Sequence, residues 1–217
     1  MDRVDHELAR PSPLSPDAKA KMWAALQAEL PSAPKKGRWQ RELMVVLLAA
    51  IGLVLSLAIV LLVTGNAAMS VIASRAALIA LCLAICGAAS WVAIAPGARR
   101  WQLLAGVGFL LGAIVLVVFR REAEAASTPE WVCAATHFAV NLVPLAAGLI
   151  ALRRAGLRLA AAVALGVSAG ATGAMVGELA CGRDSTHVLL FHVSAWASTI
   201  VAGALLSRII KPRSHAP

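Results

Sequence analysis

Six apolar runs decide what this chain can fold into. They lie at 43–63, 76–95, 101–119, 132–152, 157–179 and 187–207, each 19 to 23 residues long. Arg158, at the mouth of the fifth, is the one Lys or Arg within their limits. A hydrocarbon layer of about 30 Å takes roughly 20 apolar helical residues to cross. In lipid the backbone must satisfy its own hydrogen bonds, so only helices or a closed barrel can span, and these runs are far too long for barrel strands. The expected fold is therefore all-α: a polytopic membrane protein with six transmembrane helices. Three segments follow: a head at 1–42, a bundle at 43–207 and a tail at 208–217.

Charge sets the expected orientation. The head carries Arg3, Arg10, Lys19, Lys21, Lys35, Lys36, Arg38 and Arg41. The second and fourth connections add Arg99, Arg100, Arg153, Arg154 and Arg158, and the tail adds Arg208, Lys211 and Arg213. These 16 cations fall on one side, against Arg75, Arg120, Arg121 and Arg183 on the other. Cations concentrate in cytoplasmic loops, so both termini are expected in the cytoplasm. The net charge of +9 then reads as anchoring to anionic lipid headgroups, not as a nucleic-acid footprint. A polar head of 42 residues before the first run is the wrong order for a cleavable signal sequence. Trp39, Trp101 and Trp131 mark span ends, where indoles favour the interface.

Polar groups inside spans are the default place to look for function, and few occur. Asn141 and Pro144 lie mid-way along the fourth run, with Ser194, Ser198 and Thr199 on the sixth. Pro144 removes one backbone hydrogen bond from its helix. Glu178 is the only acid within a run, near the outer end of the fifth. Gly166, Gly170, Gly173 and Gly177 give that run a small-residue face, expected to let helix backbones approach closely. No nucleophile elbow, His-Glu-x-x-His pair or Lys-bearing phosphate loop occurs, so neither an enzyme nor a cofactor is expected.

Reactive side chains gather at the outer end. Cys133 and His137 stand four residues apart at the start of the fourth run, on one helix face. Cys181 sits between Glu178 and Asp184, and His187 and His192 follow on the sixth. Three readings of Cys133 and Cys181 stay open: a structural disulfide, a redox- or metal-responsive thiol pair, and inert thiols. A bridge would close a loop of about 49 residues, on the order of 4 kcal/mol in the chain-entropy model. His137 and His187 are the candidate partners if the cysteines hold a soft metal. Cys82 and Cys86, inside the second run, read as packing.

In the head, Ser15 is a good N-cap, Pro16 suits the first helical position and Asp17 complements the dipole. The helix expected over 16–30 is amphipathic, with Met22, Trp23, Leu26 and Leu30 on one face. Residues 31–37 read as a linker. A helix of about 15 residues is marginal alone in water, so its stripe needs a membrane face, the protein's own loops or a partner's groove.

The second half of the chain resembles the NrsF-type family of membrane-bound negative regulators of extracytoplasmic-function sigma factors. The resemblance rests on Trp131-Val-Cys133-Ala-Ala-Thr-His-Phe-Ala-Val-Asn-Leu-Val-Pro144, on Leu152-Arg-Arg-Ala-Gly156, and on Gly177-Glu-Leu-Ala-Cys181-Gly-Arg-Asp-Ser185-Thr-His187. In that family a helix with an outer Cys and a mid-helix Pro ends in a Leu-Arg-Arg turn. A Gly-rich helix then runs into a Cys-containing loop, where Gly182-Arg183 here replaces the family's Pro-Glu. The resemblance implies an inner-membrane anti-sigma factor. Its head would hold an extracytoplasmic-function sigma factor through Met22, Trp23, Leu26 and Leu30, without touching nucleic acid itself. Its two outer cysteines, matched by Cys133 and Cys181, would report envelope, oxidative or heavy-metal stress. The alternative class is a small transporter or channel, which a deep ionisable residue or an internal repeat would have favoured.

Overall fold

The computed structural model describes residues 15–29, 37–66, 68–119, 129–155 and 158–210. Leu30, the linker 31–36, the connection 120–128 and the tail beyond 210 lie outside the described residues. The chain divides into two compact units, Met1–Arg38 and Trp39–Pro217.

The first unit holds helix α1, Pro16–Glu29. Its start follows from local chemistry. The Ser15 hydroxyl accepts from Ala18 N at 3.2 Å, and the Ser15 carbonyl accepts from Lys19 N at 3.0 Å. Both Met22 and Trp23 are exposed. The side chain of Leu26 is outside the described set.

The second unit is all helix among the described residues, with no strand. In order it comprises α2 (Arg38–Val63), the short α3 (Met69–Ser74), α4 (Ala76–Ile94), a 3₁₀ turn (Ala98–Trp101), α5 (Leu103–Val118), α6 (Glu130–Ala155), α7 (Leu159–Ala180) and α8 (Ser185–Ile209). Helices α2, α4, α6, α7 and α8 are long and apolar enough to cross a bilayer. This is a membrane protein. Helix α5 is equally apolar but has 16 residues, a rise of about 24 Å. It is shorter than the run at 101–119 because the chain at its start turns in 3₁₀ form through Ala98–Trp101 before α5 begins.

Helix α7 is the hub. Nearly every side chain from Ala161 to Leu179 is buried, with α4, α5, α6 and α8 packed around it. The small residues along it permit close packing on every side, and the four glycines show how the space is used. A Cβ at Gly166 would stand 2.6 Å from the Cα of Ile200, so there the α7 and α8 backbones do touch. Gly203 repeats the approach from α8, where a Cβ would meet the Ala162 carbonyl at 2.8 Å. The other three glycines of α7 make room for side chains instead. A Cβ at Gly170 would fall on the Trp196 indole, one at Gly173 on Asn141 and His137, and one at Gly177 on the His192 ring. The Trp196 indole is fully buried, donates Nε1–H to the Val167 carbonyl at 2.9 Å, and meets Phe109 edge-on.

Helix α2 is the opposite case. It buries only Val46, Ala50 and Val54, a single line at four-residue spacing. Leu48, Leu55 and Ile59 are among its large exposed apolar side chains, as suits a helix whose other faces meet lipid.

Candidate functional site

The site is assembled where α6 begins, α7 ends and α8 begins. Cys133 lies in the first turn of α6, behind Glu130. The Glu130 carboxylate sits 3.3 Å from Arg183 Nη1 of the α7–α8 loop. Both partners are solvent-accessible, so this pair orients the loop and adds no more than about 1 kcal/mol.

Cys181 follows α7 directly, its N–H bonded to the Gly177 carbonyl at 2.9 Å. It is held from the side by Arg75, whose Nη1 donates to the carbonyls of Glu178 (2.7 Å) and Cys181 (2.6 Å). Arg75 Nε also lies 3.8 Å from a Glu178 carboxylate oxygen. A cation on the last carbonyls of a helix opposes the dipole and satisfies acceptors that have no intrahelical donor. Both side chains are buried. Arg75 is thus no mere flanking cation, and Glu178 no isolated acid.

The two histidines come from α8. Asp184 caps that helix, its carboxylate accepting from His187 N at 2.9 Å, the arrangement favoured for an N-cap acid. The next turn, Val188–Val193, is a π-turn. That local departure decides the site. In a regular α-helix residues five apart are rotated by about 140° and face different ways. A π-turn closes its hydrogen bonds at i→i+5, which stacks position 192 over 187. The rings of His187 and His192 come to 5.3 Å, edge to face, and Gly177 leaves the space for the His192 imidazole.

The result is a four-residue cluster. One ligand atom each from Cys133, Cys181, His187 and His192 lies within 4.8 Å of all the others. Cys181, His187 and His192 are buried, and Cys133 is partly accessible. Two thiols and two imidazoles at this separation offer two chemistries: closure of a disulfide, with a bond of about 2.05 Å, or tetrahedral binding of a borderline-soft cation.

Sequence reasoning placed Cys133, Cys181 and His187 at one end, and the structure brings the three together. It does not bring in His137. That ring sits one turn deeper, 5.2 Å from His192 edge-on, with Nε2 3.5 Å from the Gly170 carbonyl. His192 stands where His137 was expected. Below His137, Asn141 donates to Thr199 Oγ1 at 2.9 Å, and Thr199 donates to the Ala195 carbonyl. Cys82 and Cys86 lie apart from the cluster, both buried. Cys86 Sγ stands 3.4 Å from Ser168 Oγ, which bonds Ser90 at 2.6 Å, so this is a polar seam between α4 and α7. Of the head residues, Met22 and Trp23 are on the surface of α1.

No family model matches the chain, and no solved structure does. The chain is 37% identical over 202 residues to the carotenogenesis protein CarR of Myxococcus xanthus, across 92% of this chain and 91% of CarR. Identity at that level along nearly the whole of both chains places this protein in the CarR family.

Proposed function

We propose that this protein is an inner-membrane anti-sigma factor of six spans with both termini in the cytoplasm. Its head retains an extracytoplasmic-function sigma factor, and its outer face, with Cys133 and Cys181, controls release in response to envelope or oxidative stress. The observation that carries the reading is the surface of α1. Trp23 is 59% and Met22 45% exposed, side by side on a capped 14-residue helix. Such a helix gains little stability alone, whereas seating a Trp and a Met in a partner's groove is worth about 1.5–3 kcal/mol each. Aromatic anchors of this kind dominate protein interfaces.

Kinship supports the same reading. CarR is named for carotenogenesis, and we take from it an output of the same kind, with pigment-synthesis genes among the sigma factor's targets.

The test is co-purification of the full-length protein in detergent with the cell's sigma factors. One sigma factor should be retained, and Trp23→Ala with Leu26→Ala should lower retention at least tenfold. Unchanged retention would move the interface off α1. No capture of any sigma factor would overturn the reading and favour a small transporter or channel, to be followed by flux in proteoliposomes.

A further inference from the structure

We propose that Cys133, Cys181, His187 and His192 form a resident zinc site that clasps the outer ends of α6, α7 and α8. The inference stands on the cluster alone and does not depend on the anti-sigma reading.

Three features of the site point to a metal rather than to a chance gathering. The first is the donor set. Two sulfurs and two imidazole nitrogens in a closed, four-donor group are the composition of a structural tetrahedral zinc site. Zn–S and Zn–N bonds of about 2.0–2.3 Å would set the donors roughly 3.3–3.8 Å apart. The observed separations, all within 4.8 Å, need only a contraction of about 1 Å. Softer cuprous ion would be served by the sulfurs, yet two imidazoles in the set favour zinc.

The second feature is what the backbone does to build the group. The π-turn at Val188–Val193 puts both histidines on one side, and such turns frequently lie at functional sites. Gly177 gives up its side chain to the His192 ring. Arg75 and Asp184 hold the backbones of Cys181 and His187, the outer support that fixes ligands before the ion arrives.

The third is charge. Binding releases one proton from each thiol: Zn²⁺ and two Cys–SH give a neutral Zn(Cys–S⁻)₂ unit and two H⁺, with the imidazoles binding as neutral ligands. No net charge is left at the end of a bundle where uncompensated charge is expensive. The neighbouring Arg75–Glu178 pair is already balanced.

The experiment uses the full-length protein purified in detergent with thiols protected. Metal analysis should return about one zinc per chain. Cobalt exchanged for zinc should give the visible bands of a tetrahedral centre with thiolate charge transfer. Cys133→Ser, Cys181→Ser and His192→Gln should each cut bound zinc at least fivefold, whereas Cys82→Ser and His137→Gln should keep it. His192→Cys should also keep zinc, because it supplies a donor at the same place. That variant separates loss of a ligand from loss of fold. A metal-free protein that gives no cobalt spectrum overturns the proposal, and so does recovery of a Cys133–Cys181 disulfide from the same preparation.

Discussion

Arg75 enters a charge count as one flanking cation among several, yet its side chain is 5% exposed and spans two carbonyls and a carboxylate at the end of α7. Removing one member of a buried pair leaves the other uncompensated, which costs about 3–5 kcal/mol. Arg75→Ala should therefore lower stability by that order in an SDS-unfolding titration. The double variant Arg75→Met, Glu178→Gln should recover most of the loss, because no lone charge remains. Equal losses in the single and double variants would show that the pair contributes nothing as a pair. The sequence showed both residues, but they lie 103 positions apart, and nothing in local pattern links them. Cys133 and Cys181 were legible for a different reason. They sit at span ends on one expected side, and end-of-helix residues on one side have few places to go.

At the scale of elements, hydropathy sufficed to find helices and failed wherever a helix departs from regular form. A period of 3.6 residues puts His187 and His192 on different faces, whereas four-residue spacing puts Cys133 and His137 on one face, and the sequence offered His137 and His187 as the candidate ligands. The π-turn reverses this, and no apolar pattern in Val188–Val193 announces it. The glycines of α7 teach a similar lesson. Their spacing read as helix-on-helix contact, which holds at Gly166, whereas Gly170, Gly173 and Gly177 receive side chains. A glycine marks missing volume without saying what fills it. Gly170→Ala should accordingly cost about 1–3 kcal/mol by overpacking against Trp196, read as a lower thermal midpoint in detergent. Gly52, with nothing within 4 Å of an added Cβ, should tolerate the same change. By contrast Asn141→Ala removes one interhelical hydrogen bond, a class worth only about 0.6 kcal/mol on average in membranes.

At the scale of the whole molecule the proposed topology turns on α5. A rise of about 24 Å falls short of a 30 Å hydrocarbon layer, and local thinning or the adjoining 3₁₀ turn makes up the difference at modest cost. If α5 crosses, periplasm-active reporters inserted at 64–68 and 120–128 should be active, and those at 96–100 and 153–158 silent. Arg75 at the start of α4 and Cys133 at the start of α6 both meet Cys181, so the two starts share one end of the bundle; an inactive reporter at 120–128 beside an active one at 64–68 would overturn this packing. The packing of α7 bears on how such a molecule is made. The ribosome delivers α4, α5 and α6 before α7, yet it is α7 that those neighbours enclose. Until about residue 180 has been synthesised, the earlier helices wait in the bilayer with the seat of their common partner empty. A chain stopped short of α7 is then a set of unassembled spans open to membrane proteases, and one stopped just after it already holds the centre of its bundle.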